Sequence, residues 1–146
     1  WNFMTQPKGR FCFPADTLVR IDGAPIQISK VRPGAKVGSY GGVSVQRLES
    51  EVESIDQHEG TFECYDIVLE SGKRISVVGS HQFLLDCGRW THAEMLRPGS
   101  KLKSLNGTVS ISSIATRSYS GSVYNLKVKD SDRYFVGEDA LVVRDW

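Results

Sequence analysis

The sequence is nearly without net charge: 18 Lys and Arg stand against 17 Asp and Glu, leaving +1. No basic surplus or stripe marks it as a nucleic-acid binder, and charge alone names no partner. Apolar runs are short. None approaches the ~20 residues of a membrane-spanning helix, and no basic–apolar–small leader pattern opens the chain, so neither span nor leader is expected. Cysteine is scarce, with three in 146 residues. An odd count with no C-x-x-C pair argues against a disulfide framework. His58, Cys64, Cys87 and His92 lie at spacings too loose for a zinc site, so no metal or other cofactor is expected. Cys64 and Cys87 read as small buried residues. Histidine is confined to His58, His81 and His92.

What is present is an ordinary globular composition, 40% hydrophobic and 24% charged, in a chain long enough for one domain with a real core. Runs rich in Val, Ile, Leu and aromatics recur at 17–21, 35–39, 65–69, 74–78, 83–86, 109–114, 123–128, 134–136 and 141–143. Turn signals such as Asp22-Gly23, Pro33-Gly34, Cys87-Gly88, Pro98-Gly99 and Asn106-Gly107 separate them. Strands between closely spaced turns predict an all-β fold. Only 26–30 and 91–96 look helical, each too short for more than a turn or two. Alternation is imperfect, which predicts long, bent strands shared between sheets.

The chain also repeats itself. Val31-Arg32-Pro33-Gly34-Ala35-Lys36-Val37 returns 65 residues later as Leu96-Arg97-Pro98-Gly99-Ser100-Lys101-Leu102. At the same offset Gly23 matches Gly88, Ser39 matches Ser104 and Gly42 matches Gly107. After a six-residue deletion, Tyr65-Asp66-Ile67 aligns with Tyr124-Asn125-Leu126. Two copies are too few for a solenoid, so a pseudo-two-fold pair within one domain is expected. Lys36 and Lys101 then read as solvated turn residues, and Trp90 as core.

Two residues stand out chemically. Cys12 heads Cys12-Phe13-Pro14-Ala15-Asp16-Thr17-Leu18-Val19 at the start of the first copy, and His81 ends the run 74–80. Apart, each has a structural reading, as a small buried thiol and as an imidazole bonded to a carbonyl. Together they supply a nucleophile and a proton carrier, if the fold brings them into contact.

The Cys12 string, followed by Asp22-Gly23 and Ile28 to Val37, resembles the opening motif of the Hint family, the self-processing module of inteins, bacterial intein-like domains, hedgehog C-terminal regions and pre-toxin linkers. Gly72-Lys73-Arg74-Ile75 through His81 is similar to that family's histidine motif. Trp90, Ala93, Leu96, Pro98 and Gly99, then Val123-Tyr124-Asn125-Leu126-Lys127-Val128, resemble its later stretches. Tyr134-Phe135-Val136-Gly137 and Leu141-Val142-Val143 resemble its last strand pair. The resemblance covers about residues 12–145, leaving 1–11 as an upstream flanking peptide and 146 as a downstream flanking residue.

The resemblance implies an all-β horseshoe with internal pseudo-two-fold symmetry, acting in cis on its own flanking polypeptide. The implied reaction is an N-to-S acyl shift at the Phe11–Cys12 bond. Cys12 would attack the Phe11 carbonyl and His81 would protonate the departing amine; an unperturbed imidazole pKa of about 6.5 suits that role. The thioester would then meet water or a small thiol. Asp16 reads as a turn residue rather than a base.

Departures from the family pattern narrow the expectation. Val78 stands where the family usually carries Thr three residues before its histidine, and Arg133 stands where many relatives carry another His. Arg144, Asp145 and Trp146 replace the His-Asn-nucleophile ending, which leaves Asp145 as an impaired catalytic participant at the C-terminal end and the bond between Asp145 and Trp146 poorly equipped for cleavage. N-terminal cleavage without splicing is the expectation, and a degenerate Hint domain kept as a structural or interaction module is the alternative.

Overall fold

The Pro-Gly repeats fold into two matching turns. Pro33 and Pro98 sit at the first corner position of each turn, and Gly34 and Gly99 at the second, both with φ of +93°. That left-handed geometry belongs to a type II turn and favours glycine. Ala35 N–H closes the first on Arg32 O at 3.1 Å, and Ser100 N–H the second on Arg97 O at 2.9 Å. A single 3-10 turn precedes each, Ile28–Lys30 and Ala93–Met95. These are all that remain of the two helical expectations.

The computed structural model describes residues 11–40, 47–79, 81–129 and 132–144. They form twelve strands: β1 Phe11–Pro14, β2 Leu18–Ile21, β3 Ala24–Gln27, β4 Lys36–Tyr40, β5 Arg47–Leu69 and β6 Arg74–Gly79, then β7 Gln82–Leu84, β8 Trp90–His92, β9 Lys101–Ser104, β10 Gly107–Val128, β11 Arg133–Val136 and β12 Leu141–Arg144. The order is β11-β2-β4-β5-β6-β1-β10-β9-β12-β7-β8, with β3 on β2 and extra pairings β11–β12 and β5–β10. The β11–β12 hairpin closes the path from its β11 end back onto β12, with β7 and β8 continuing beyond, giving one continuous all-β architecture.

The internal repeat is a symmetry of hydrogen bonds as well as of letters. Gly34 N–H donates to Val52 O and Gly99 N–H to Ile111 O, both at 2.8 Å. Ile28 N–H donates to Thr17 O at 2.7 Å, and Ala93 N–H to His81 O at 2.8 Å. The long strands β5 and β10 pair antiparallel with Tyr65 opposite Thr116 and Tyr124 opposite Gln57, a register in which each copy faces the other. Thr61 and Ser120, equivalent under that register, face each other directly, their hydroxyls 3.0 Å apart. The pseudo-two-fold axis passes between them.

Alternation places the cores. Along β6, Ile75 and Val77 enter the main core with Phe13, Phe83, Tyr134 and Val143, while Val78 joins a small cluster of Cys12 and Val123 on the other face. A third cluster, Leu84, Phe135, Ala140 and Val142, is covered by half-buried Trp90, so Trp90 caps a small core rather than filling the main one. Cys64 is buried as expected, but Cys87 is exposed, because it lies in the 85–88 turn, where Gly88 N–H closes on Leu85 O at 2.9 Å. Lys36 and Lys101 are exposed at the starts of β4 and β9, not in the turns themselves.

Candidate active site

β1 is a four-residue strand held on both sides. Phe11 and Cys12 pair with Gly79 and Val78 of β6, and Phe13 and Pro14 pair with Tyr124 and Val123 of β10. The Phe11–Cys12 peptide bond therefore lies within the sheet, its position fixed by β6.

Successive side chains of β1 point to opposite faces. Cys12, 3% exposed, packs with Val78 and Val123 and against Phe62 and Tyr119. Phe13 faces the main core, where its ring meets the imidazole of His81 at 4.4 Å between centroids and the edge of Tyr134 at 6.4 Å. The thiol and the imidazole thus approach β1 from its two faces. His81 is fully buried, and its Nε2 lies 2.6 Å from Arg144 O. A carbonyl can only accept, so Nε2 carries a proton in either charge state of the ring. One side chain therefore touches Phe13, the second residue past the upstream junction, and the backbone just ahead of Asp145. Asp145 and Trp146 themselves lie outside the described residues.

Val78 occupies the register position between two cysteines, Cys12 on one side and Cys64 on the other. Its side chain is 2% exposed and offers no donor to the junction. Cys64 carries a thiol pushed up by burial, a rise that the nearby Arg117 guanidinium reduces in part. Its Sγ lies 4.0 Å from Asp66 Oδ1, and Asp66 in turn accepts from Ser76 Oγ at 2.5 Å and Arg117 Nε at 2.6 Å. Burial alone would raise the Asp66 carboxyl, but hydrogen bonds from Arg117 and Ser76 and the charge of Arg117 bring it below its ordinary value.

Arg133 and Arg144 face each other across the β11–β12 hairpin. Their guanidinium carbons lie 5.6 and 4.3 Å from the centroid of the Trp90 ring. Burial lowers the Arg144 guanidinium, Asp132 works against that and Arg133 adds to it. Asp16 is exposed in the turn after β1, a turn residue as expected. Among the described residues, no three His, Cys, Asp or Glu side chains cluster to hold a metal ion, and no helix is long and apolar enough to cross a membrane.

Three contributors escaped the sequence reading. Phe13 could have been found by alternation, since the neighbour of a thiol on one face must line the other. Phe62 and Tyr119, the wall around Cys12, lie in stretches with no strand signal, and nothing in the sequence joins them to Cys12.

No family model matches the sequence, and no curated protein sequence does either. Solved structures do match. A bacterial intein-like domain from Clostridium thermocellum is similar at 24% identity and a TM-score of 0.83, over 91% of this chain and 97% of that one. A DnaB intein from Synechocystis is similar at 17% identity and a TM-score of 0.77, over 92% and 98%. The gp41-1 intein is similar at 19% identity and a TM-score of 0.73, over 91% and 97%. At these identities the likeness speaks for the backbone, and it agrees with the duplicated sheet: the chain has the all-β Hint fold of bacterial intein-like and intein domains.

Proposed function

We propose that this chain is a self-processing domain that cleaves its own polypeptide at Phe11–Cys12 through a thioester. The observation that carries this reading is β1 itself. It pairs Phe11 and Cys12 with β6 and the next two residues with β10, and the only fully buried imidazole among the described residues packs against the next side chain, Phe13.

The Cys12 thiol gives its proton to water; Sγ then attacks the Phe11 carbonyl carbon, the carbon–nitrogen bond breaks, and the Cys12 nitrogen leaves as an amine that must gain a proton. In its charged form His81 supplies that proton and becomes neutral, keeping Nε2–H on Arg144 O. Water or a small thiol then takes the acyl group and releases the upstream peptide, so the substrate is the chain's own flanking segment. The amide is the more stable partner in an unstrained chain, and pairing on both sides of β1 is the means by which the fold can bias it. Reaction at the downstream end is not part of the proposal. Arg144 is a permanent cation that cannot serve as an acid at neutral pH, and Asp145 lacks the carboxamide nitrogen needed to close a succinimide.

A second reading, a degenerate Hint domain kept as a rigid module, is favoured by one observation. Cys12 is packed among Val78, Val123, Phe62 and Tyr119, with little access for water or a thiol. Intact mass spectrometry of the full chain with and without millimolar thiol at neutral pH separates the two. Self-processing predicts a fragment ending at Phe11 and its loss in Cys12→Ala; an unchanged wild-type mass over days overturns it.

A further inference from the structure

The aromatic wall beside Cys12 breaks the symmetry of the sheet. Phe62 of β5 and Tyr119 of β10 are direct cross-strand partners, as are Gly60 and Gly121. Rotation about the axis between Thr61 and Ser120 carries Phe62 onto Gly121 and Tyr119 onto Gly60, so the rings stand on one side of it and the glycines on the other. Both rings are half-buried and pack against the cluster of Cys12, Val78 and Val123. The Tyr119 side chain folds back along its own strand. Its hydroxyl donates to Ser122 O at 3.0 Å, and a Cβ added to Gly121 would meet Tyr119 Oη at 3.1 Å. Glycine at 121, with φ of +148°, leaves the space in which the ring lies. Residues 119, 121 and 123 share one face of β10, so the ring reaches toward Val123 of the thiol cluster. Arg117, two residues back on that face, places its guanidinium carbon 5.8 Å from the ring centroid and is itself held by Asp66 at 2.6 Å.

We propose that Tyr119 is a latched lid on the Cys12 thiol, a specificity-determining residue that admits small acyl acceptors and turns away bulky ones. The consequence rests on the thioester reading of Cys12; the lid itself rests on packing alone. In the exchange step an acceptor thiol loses its proton to water, its sulfur bonds to the Phe11 carbonyl carbon, the bond to Cys12 Sγ breaks, and Cys12 takes a proton from water. The incoming sulfur must therefore reach the carbon that Sγ carries, beside the face on which the rings lie. One hydroxyl-to-carbonyl bond latches the Tyr119 ring, so the ring can lift for a small molecule without the strands parting. A tripeptide thiol needs far more cleared space than a two-carbon one.

The test reads Cys12 in two ways in the full chain. Peptide mapping by mass spectrometry follows alkylation of each cysteine by iodoacetamide and by the bulky fluorescein maleimide. Exposed Cys87 is the reference for reagent strength, and buried Cys64 the reference for general loosening. In wild type, Cys12 should favour iodoacetamide over the maleimide about tenfold more than Cys87 does. Tyr119→Phe, which keeps the ring and loses the latch, should quicken iodoacetamide at Cys12 about fivefold, the weight of one net hydrogen bond. Tyr119→Ala should bring the preference of Cys12 close to that of Cys87, with Cys64 unchanged in both variants. Release of the fragment ending at Phe11 should follow the same order: 2-mercaptoethanol outpaces glutathione in wild type, and Tyr119→Ala brings the two together. A wild-type Cys12 with the reagent preference of Cys87, or a preference that neither folded variant moves, overturns the lid. Equal release by the two thiols from wild type overturns it as well. So does Cys64 quickening in step with Cys12, since the ring then holds the sheet rather than the thiol. If alkylation shifts as expected and no thiol releases the fragment from any of the three proteins, the lid stands and the cleavage reading falls.

Discussion

The two halves of the duplicated sheet place equivalent residues in equivalent backbones, and the contrast between them marks out the candidate site. Phe13 pairs with Tyr124 as Val77 pairs with Tyr65, so β1 and β6 are copies of one strand. Cys12 then corresponds to Ser76. The hydroxyl of Ser76 donates to Asp66, which also binds Arg117. The thiol of Cys12 instead packs in an apolar cluster. His81 corresponds to Thr17, since each carbonyl accepts from the head of its 3-10 turn. Duplication has preserved main-chain hydrogen bonds and turns; it has not preserved side chains. The copy holding the thiol is also the one with an imidazole packed against the adjoining residue.

The largest expected break in this comparison is at Phe13. Phe13→Ala removes the ring that supports His81 and Tyr134, and loss of a fully buried phenylalanine costs about 3–5 kcal/mol. Its mate Val77 is equally buried but smaller, so Val77→Ala should cost no more than about 1.5–3 kcal/mol. Urea unfolding measures both. In folded protein Phe13→Ala should also lose most thiol-induced release, while Val77→Ala keeps it. Equal effects on cleavage would mean that His81 does not depend on Phe13.

A smaller effect is expected one layer further out. Tyr134 OH donates to Asn125 Oδ1 at 2.7 Å in the buried core, and Tyr134→Phe leaves that acceptor one donor short, at a cost of about 1–3 kcal/mol. In the other half the counterpart of Asn125 is Asp66, and Ser76→Ala removes only one of several donors there, leaving Arg117 and the weak Cys64 thiol. That substitution should cost about 0.5–1.5 kcal/mol. Denaturation midpoints in the reverse order would show that the polar cluster, not the buried pair, holds the sheet together.

Much of the backbone was legible because turn chemistry is local. Pro33-Gly34 and Pro98-Gly99 require the same turn wherever they occur, and their spacing disclosed the duplication. The central parts of β5 and β10 were not legible. Residues 53–63 and 115–122 are rich in Glu, Ser, Thr and Gly, and they are extended because each supplies the other's ladder, a tertiary cause that propensity does not record. Within the candidate site, motif order singled out Cys12 and His81, while their approach to β1 from opposite faces was not legible. The stacking of Arg133 and Arg144 on Trp90 was not, because it needs three strands that only the closed path brings together.

Val78 sharpens the comparison at the junction. It faces Cys12 in the register, and its own counterpart is Pro14, which like Val78 carries no side-chain donor. Val78→Thr would place a hydroxyl beside the Phe11–Cys12 bond. If a missing donor limits the acyl shift, thiol-induced release should quicken about tenfold, a gain of ~1.4 kcal/mol in the transition state. Equal or slower release from folded Val78→Thr would mean that main-chain donors already serve this role.

The smallest expected effect distinguishes the halves by pH. Asp66 titrates, and its mate Asn125 does not. Although burial favours the neutral acid, hydrogen bonds from Arg117 and Ser76 and the Arg117 charge leave the carboxyl below its ordinary value in the fold. A depressed carboxyl contributes stability that is fully present above the unfolded value of about 3.9 and is lost as pH falls through the folded value. Arg117 is nearly half exposed, with 46% of its side chain accessible, so solvent screening limits the contribution to about 1 kcal/mol. Asp66→Asn should therefore lower stability by about that much at pH 7 and at pH 5, with the gap to wild type narrowing below pH 4. Thermal unfolding of the two proteins at pH 7, 5 and 3 measures the gap. A gap that stays constant down to pH 3 would mean that Asp66 supports the sheet through the shape of its contacts rather than through its charge.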